Sequence, residues 1–141
     1  MLIKIIDALE EKMSALKEQT TREVAEIFAY LSQTGAKTKL RPRIKQNKGY
    51  VTFSICWRKI SYFNKKIPRA TRAKEIRKGR GYKVPKARLL SHCRNCDSWE
   101  VEYILDKEKG FARIREKVHL LSTAIQALRE YDKADQESYP E

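Results

Sequence analysis

The sequence predicts an α+β fold: a small antiparallel sheet of about four strands, flanked by N-terminal helices and a long C-terminal helix. Apolar residues recur at spacings of three and four near both ends of the chain, as in helices that bury one face. Between Tyr50 and Arg58 they instead alternate with polar residues, as in a half-buried strand. The length of 141 residues suits one domain, residues 1–141, in which helices from both ends flank the sheet.

Residues 2–33 form the N-terminal helical zone. Its apolar positions fall into two sets, which are Leu2, Ile6, Leu9, Met13 and Leu16, and then Val24, Ile27 and Leu31. Thr20 and Glu23, between the sets, have the spacing of a capping box, with Thr20 as the N-cap of a second helix. The sequence therefore predicts two helices with a break near Thr20, and one continuous helix is the alternative. Gly35 should end the zone, because glycine adopts the left-handed conformation that follows many helices.

Residues 36–94 hold the predicted sheet and its loops. The clearest strand has one face made of Val51, Phe53, Ile55 and Trp57, and another made of Thr52, Ser54, Cys56 and Arg58. Asn47-Lys48-Gly49 is predicted as a hairpin turn that joins this strand to a partner at 39–46. Pro42 indicates that this partner strand lies at a sheet edge, because proline has no N–H to donate to a neighbouring strand. Ile60–Phe63 and Lys74–Lys78 are predicted as the third and fourth strands.

Loops and a short helix are predicted for the rest of this zone. Asn64–Ala73, with Pro68 inside it, is expected to be a mobile basic loop. Gly79-Arg80-Gly81 should turn the chain into Tyr82-Lys83-Val84, because glycine permits conformations that other residues avoid. Pro85 suits the first turn of a short helix that continues through Leu89 and Leu90.

Residues 97–131 are predicted to form the long C-terminal helix, and residues 132–141 a frayed tail. Asp97 and Glu100 have the capping-box spacing at the helix start. Gly110 is a weak point that costs about 1 kcal/mol relative to alanine. The helix carries an apolar seam made of Phe111, Ile114, Val118, Leu121, Ile125 and Leu128. This seam belongs to the core by default, yet the helical zones offer more apolar surface than the sheet covers, so a homodimer is expected.

Charge is segregated along the chain. Residues 36–94 contain twenty Lys or Arg and one acidic residue, Glu75, a net charge of +19, whereas the remaining residues carry −6. A surface selected only for solubility mixes the two signs. A block this cationic repels itself unless a polyanion binds, and nucleic acid is the usual polyanion because Lys and Arg displace its counterions. The alternative is a solvated cationic segment without a partner.

Double-stranded DNA is the expected partner of this basic block. Gly79 and Gly81 let the backbone approach phosphates closely, and Arg80 between them could reach a base edge. The predicted DNA contacts are Arg41, Arg43, Lys45, Lys48, Arg58, Lys65, Lys66, Arg69, Arg72, Lys74, Arg77, Lys78, Arg80, Tyr82 and Lys83.

Aromatic residues are interleaved with this charge. Tyr62 and Tyr82 are candidates for stacking on unpaired bases. Phe53 and Trp57 are expected in the core, because they belong to the apolar face of their strand.

The three cysteines do not suggest a disulfide framework, because their number is odd. Cys93 and Cys96 form one C-x-x-C pair, whereas zinc needs four ligands. A third ligand could come from Cys56, His92 or His119, but a second close pair is missing. Free thiols are therefore expected, and no metal or other cofactor is predicted.

A cytoplasmic location is predicted from three features. The thiols are interpreted as reduced, no apolar run is long enough to span a membrane, and the N-terminus does not resemble a signal peptide. Binding to a membrane surface is not expected, because the basic block has strand-type periodicity rather than that of an amphipathic helix.

The same block argues against an enzyme. Metal-dependent nucleases need several carboxylates around the scissile phosphate, and Glu75 is the only one in residues 36–94. Gly79-Arg80-Gly81 also lacks the spacing of a phosphate-binding P-loop. No catalytic residue is predicted.

Several short motifs resemble the MobI family of conjugative transfer proteins. They are Cys56-Trp57-Arg58, the stretch from Arg77 to Pro85, Trp99-Glu100, and Phe111-Ala112-Arg113-Ile114-Arg115, within residues 50–130. The resemblance implies an auxiliary factor that acts at the origin of transfer of conjugative plasmids and integrative elements, alongside the relaxase that nicks there. The basic residues between Tyr62 and Arg72 and the His92–Cys96 stretch lie outside this pattern.

The sequence thus predicts a non-catalytic DNA-binding accessory protein, and the resemblance adds an origin of transfer as its DNA and a relaxase as its partner. An RNA-binding accessory protein is one alternative, which the relative affinity for duplex DNA and structured RNA separates. A helical adaptor that binds an acidic protein is another, and its binding would not depend on phosphate chemistry.

Overall fold

The computed structural model describes residues 2–48, 52–62 and 71–137, with the backbone alone for Tyr62, Thr71 and Arg72. It confirms the α+β class, with three strands instead of the four predicted. The elements are α1 (Leu2–Gln33), β1 (Leu40–Gln46), β2 (Phe53–Tyr62), β3 (Thr71–Ile76), α2 (Lys86–Leu90) and α3 (Ser98–Gln136). No described helix combines the length and apolar content needed to cross a membrane.

Helix α1 is continuous, so the predicted break near Thr20 is wrong. The Thr20 side chain is buried, and its hydroxyl donates to the Leu16 carbonyl at 2.7 Å, as a threonine inside a helix does. The capping-box spacing was therefore coincidental, because Thr20 lies on the buried stripe between Met13 and Val24. Gly35 ends the helix as predicted, with φ at +66°.

The sheet is antiparallel in the order β1-β2-β3, which places β1 and its Pro42 at an edge as predicted. Strand β1 pairs with β2 from Leu40 opposite Lys59 to Gln46 opposite Phe53. The predicted hairpin joins them, and its Asn47 N–H donates to the Thr52 carbonyl at 3.2 Å. Residues 49–51 of this turn lie outside the described residues.

The predicted third and fourth strands need correction. Residues 60–62 continue β2, so Ile60–Phe63 is not a separate strand, and the charged pair Arg58-Lys59 does not interrupt the extended backbone. Strand β3 begins at Thr71 and ends at Ile76, earlier than the predicted Lys74–Lys78. Thr71–Ala73 therefore belong to β3 and not to the predicted basic loop, whose residues 64–70 lie outside the described residues.

The C-terminal half follows the predicted signals more closely. Pro85 is the N-cap of α2. Asp97 and Glu100 form the predicted capping box of α3, in which the Asp97 N–H donates to the Glu100 carboxylate at 2.7 Å. The helix runs to Gln136, so residues 132–136 are helical and not a frayed tail, while 138–141 lie outside the described residues.

Helices α1 and α3 run antiparallel and pack on one face of the sheet with the core between them. Tyr30 near the end of α1 contacts Tyr103 near the start of α3, with ring centroids 4.7 Å apart, and Glu10 pairs with Arg129 at the opposite ends. Trp57 in β2 is fully buried against Phe111 in α3. The apolar seam of α3 thus serves this core, where Phe111, Val118 and Ile125 are buried and Ile114, Leu121 and Leu128 partly buried.

Candidate nucleic-acid interface

The outer face of the sheet, opposite the core face, carries a group of basic residues. In the β1–β2 register, Arg41 lies opposite Arg58, Arg43 opposite Cys56 and Lys45 opposite Ser54. Directly opposed residues share a face, and the alternate positions Leu40, Pro42, Phe53, Ile55 and Trp57 are buried. The strand alternation therefore sends the basic side chains to one side of the sheet and the apolar ones to the other. We call Arg43, Lys45 and Arg58 the outer-face patch.

Arg58 occupies the middle of this patch on the central strand. Its Nε atom is buried and has no hydrogen-bond partner among the described residues. A buried donor left unpaired costs about 1–3 kcal/mol. An anionic oxygen could bond this atom only after the Arg58 side chain moved outward.

The pKa of the Cys56 thiol shows that several charged groups lie close together on the outer face. Burial raises the pKa of the Cys56 thiol and the Glu75 carboxylate raises it further, while Arg43, Arg58 and Lys45 lower it. These four charged groups therefore surround one thiol. The Glu75 carboxylate, opposite Arg58 on β3, therefore lies beside the three cations of the outer-face patch.

Arg41, which was predicted as a DNA contact, also makes contacts within the protein. Its guanidinium donates to the Ser32 hydroxyl and to the carbonyls of Thr38 and Leu40, and it lies 5.9 Å from the centroid of the Phe28 ring. These contacts join β1 to the end of α1. Arg41 is thus held by the protein's own groups.

The predicted glycine turn forms a second basic surface, which we call the basic turn (residues 77–83). Gly79 and Gly81 have φ values of +82° and +74°, where other residues are strained. Arg77, Arg80, Tyr82 and Lys83 are exposed. Lys78 is half-buried, and its ammonium donates to the Gly81 carbonyl, so it stabilises the turn while keeping its charge there.

A buried ion pair, missed by sequence reasoning, holds the basic turn in place. Arg115 of α3 donates to the Tyr82 carbonyl at 2.8 Å and twice to the Ile55 carbonyl, at 3.0 and 3.1 Å. Its partner Glu108, 2.7 Å away, also accepts from the Val84 N–H at 2.7 Å and the Trp57 indole at 3.1 Å. Arg115 is buried although it is a charged residue of a helix. Glu108 and Arg115 are seven residues apart, which places them on one helix face, and this spacing could have indicated the ion pair.

A third basic group lies on the core side of the sheet, beyond the part that α3 covers. Lys59 and Lys74 are directly opposed, and a cleft of about 210 Å³ beside Lys59 is lined also by Lys39, His92 and Arg94. Burial lowers the pKa of His92, and the positive charges of Lys59 and Lys74 lower it further. Lys74 was predicted as a contact, while Lys39 and Lys59 were missed although they lie in the same basic block.

Some of the remaining predicted contacts lie outside the described residues. Lys48 is exposed at the hairpin. Arg72 lies in β3 opposite Ser61, with only its backbone described. Lys65, Lys66 and Arg69, with the rest of 63–70, lie outside the described residues.

Cys93 and Cys96 are free thiols at the turn between α2 and α3. Cys93 is buried, its sulfur lies 3.9 Å from the Thr38 hydroxyl, and burial raises its pKa to about 11. No group of three or more metal-binding side chains is found in the part of the chain that the structure describes. The C-x-x-C pair therefore gains no further ligand there.

These surfaces define a small α+β protein with its cations gathered on one face of a sheet, one turn and one cleft. The family model described as MobI protein matches residues 5–129, so the chain belongs to the MobI family, as the sequence motifs predicted. This membership indicates a mobilization-related accessory protein. Comparison with curated proteins and with solved structures finds no match.

Proposed function

We propose that the protein is a non-catalytic DNA-binding accessory factor that recognises an origin of transfer and assists the relaxase there. One observation carries the proposal: the net charge of +19 in residues 36–94 is opposed by −6 elsewhere. Phosphate contacts made by Lys and Arg supply most of the affinity of such proteins for DNA. Membership in the MobI family supports the choice of an origin of transfer.

The outer-face patch and the basic turn are the proposed contact surfaces. Arg43 and Lys45 are exposed on β1, and the buried Nε of Arg58 lacks a partner among the described residues. The basic turn is backed by the buried Glu108–Arg115 pair, so it should change little on binding. Both surfaces would position the duplex through its phosphates, and Arg80 would reach a base edge.

The absence of catalysis is part of the proposal. Glu75 is the only carboxylate of the basic block. Glu108, next to the basic turn, is buried and already accepts four hydrogen bonds. A nuclease metal needs several accessible carboxylates near the phosphate. Metal-dependent nicking of supercoiled plasmid by the pure protein, abolished by one substitution, would overturn this part.

Salt dependence tests DNA binding directly. Fluorescence anisotropy with an origin-of-transfer duplex should show affinity falling by about three decades between 50 and 200 mM salt, as expected for six or more phosphate contacts. A scrambled duplex of equal length should bind more weakly. Salt-independent binding contradicts the proposal, and tighter binding of structured RNA favours an RNA-binding protein.

Charge reversal localises the DNA-binding surface. Arg43→Glu combined with Lys45→Glu should weaken DNA binding by about tenfold or more, because each substitution replaces a cation at a phosphate with a repelling carboxylate. Lys12→Glu with Lys109→Glu, on exposed helix positions, is the matched control and should change affinity much less. The two double variants should also differ in an assay of DNA nicking by the relaxase. The control variant should stimulate nicking, whereas the outer-face variant should not.

A cytoplasmic homodimer completes the proposal. Ile3 near the start of α1, Leu120 near the middle of α3 and Tyr131 near its end are 65%, 58% and 66% exposed, and association of two copies would remove apolar surface of this kind from water. A two-fold dimer would place one protomer on each half of an inverted repeat. Sedimentation equilibrium should show a dimer that Leu120→Lys converts to a folded monomer. A 16.6 kDa species for the unmodified protein contradicts the dimer.

A further inference from the structure

A cleft of about 290 Å³ opens between the β1–β2 hairpin, the basic turn and α3. Its floor is apolar, formed in part by Phe53 and Val118, which are buried in the core. Its rim is polar and includes Lys78, His119 and Ser122. Small-molecule sites commonly combine an apolar floor with a few polar groups that fix orientation.

Two exposed rings form one wall of this cleft. Tyr82 of the basic turn and His119 of α3 have centroids 5.9 Å apart and planes inclined by 54°. Tyr82 is 37% exposed, so part of its ring faces solvent. A third flat ring could stack there without displacing any core residue.

The backbone that carries Tyr82 is fixed before any ligand arrives. The Tyr82 carbonyl accepts a hydrogen bond from Arg115, and the Val84 N–H donates to Glu108. Gly81, immediately before Tyr82, adopts the positive φ that the turn requires. A ring held in this way loses little conformational freedom on binding, which favours affinity.

We propose that this cleft receives one unpaired nucleobase of the bound nucleic acid, stacked on the Tyr82 ring with the His119 ring at its edge. Aromatic side chains bind bases through the π-face, which an unpaired base exposes and a stacked duplex base does not. The Ser122 hydroxyl supplies a donor and an acceptor for the base edge. Lys78 at the rim and the neighbouring Arg77 and Arg80 supply cations for the flanking phosphates.

This inference rests on the proposed nucleic-acid binding and adds a preference that phosphate contacts alone do not give. Phosphates are present equally in paired and bulged duplexes. A site for an unpaired base gives the bulged duplex a contact that the paired duplex lacks.

Fluorescence of 2-aminopurine tests the inference. The probe is placed in a fully paired duplex, as a single unpaired base in the same duplex, and supplied as the free nucleotide. The full-length protein should bind the bulged duplex about tenfold or more tighter than the paired one, with a change in probe emission.

Variants assign that preference to the cleft. His119→Ala should abolish the preference while binding the paired duplex as before. Tyr82→Ala should also abolish the preference, with weaker binding of both duplexes because Tyr82 belongs to the basic turn, and Tyr82→Phe should keep the preference because the ring remains. Tyr131→Ala, which removes an exposed ring elsewhere on α3, is the matched control. We expect these variants to fold because the Tyr82 and His119 side chains are both exposed, and circular dichroism checks this.

The possible outcomes are distinct. Equal affinity for both duplexes, or a preference that survives Tyr82→Ala, overturns the inference and leaves the proposed DNA binding intact. Failure to bind either duplex overturns both. Binding of the free nucleotide as tightly as the bulged duplex overturns the inference in favour of a mononucleotide site.

Discussion

Glu108 and Arg115 lie two turns apart on α3 and meet at 2.7 Å beneath the basic turn. Between them they hold groups from β2, from the turn and from the segment that follows it: the Ile55 and Tyr82 carbonyls, the Val84 N–H and the Trp57 indole. The pair therefore replaces a backbone ladder at this place, since the pairing of β3 with β2 stops at Trp57. Its value to the protein lies in fixing the turn relative to the sheet.

Removing one member of this pair should be severe. Glu108→Gln leaves the Arg115 charge buried without its counter-ion, and we expect a decrease of about 3–5 kcal/mol in the free energy of unfolding. Glu116→Gln, on the exposed side of the same helix, should change it by no more than about 0.5 kcal/mol. Urea unfolding measures both. A decrease below about 1 kcal/mol for Glu108→Gln, the size typical of an exposed pair, would mean that the pair is not buried in solution.

Two glycines should respond to alanine in opposite directions. Gly81→Ala forces a side chain onto a φ of +74°, which costs about 1–2 kcal/mol. Gly110→Ala lies inside α3 with nothing near the added methyl group, and should stabilise the protein by about 1 kcal/mol. Thermal unfolding of the two variants checks the signs. Stabilisation by Gly81→Ala would show that the turn conformation differs from the one described.

Relief of like-charge repulsion is expected at Lys59. Lys59 and Lys74 are directly opposed on adjacent strands, an arrangement that costs up to about 1 kcal/mol. Lys59→Thr should raise the Tm at low ionic strength, and added salt should shrink the gain because it screens the repulsion. Lys45→Thr is the control, since Lys45 lies opposite Ser54. Equal increases in Tm for the two variants would mean that the gain comes from the higher strand propensity of threonine and not from relieved repulsion.

The buried Cys93 thiol should make stability depend on alkaline pH. Its pKa is raised from 9.0 to about 11, so the folded state keeps the proton where the unfolded chain releases it. The contribution is fully present below pH 9 and is lost as the pH rises to about 11. Urea unfolding should show a steeper decline over this window for the unmodified protein than for Cys93→Ala. Parallel curves would contradict the raised pKa.

Local signals predicted much of the fold. The alternation at Phe53, Ile55 and Trp57 and the capping box at Asp97 were predicted correctly, because each depends on residues near in sequence. The break at Thr20 was wrong because the same spacing also occurs inside a helix, where tertiary burial decides. Strand β2 continues past Lys59 because its residues there pair with β3, and this pairing cannot be read from the residues near Lys59 in sequence.

The candidate site was less predictable than the fold. Basic residues were found by composition, but composition does not show that Arg41 is held by α1 while Arg43 is exposed. Charged helix positions are usually solvated, so the residue type alone gave no reason to expect a buried Arg115. Its burial depends on carbonyls of Ile55 and Tyr82, which lie 60 and 33 residues away along the chain.

The guanidinium of Arg115 at the Ile55 carbonyl also bears on self-association through the sheet. An unpaired strand edge is a template for a strand of another molecule, and proteins block such edges with proline, charge or covering side chains. Here Arg115 occupies the Ile55 carbonyl beyond the end of β3, Pro42 removes a donor from β1, and Lys74 places a charge on β3. The described sheet thereby discourages amyloid-like growth at its edges.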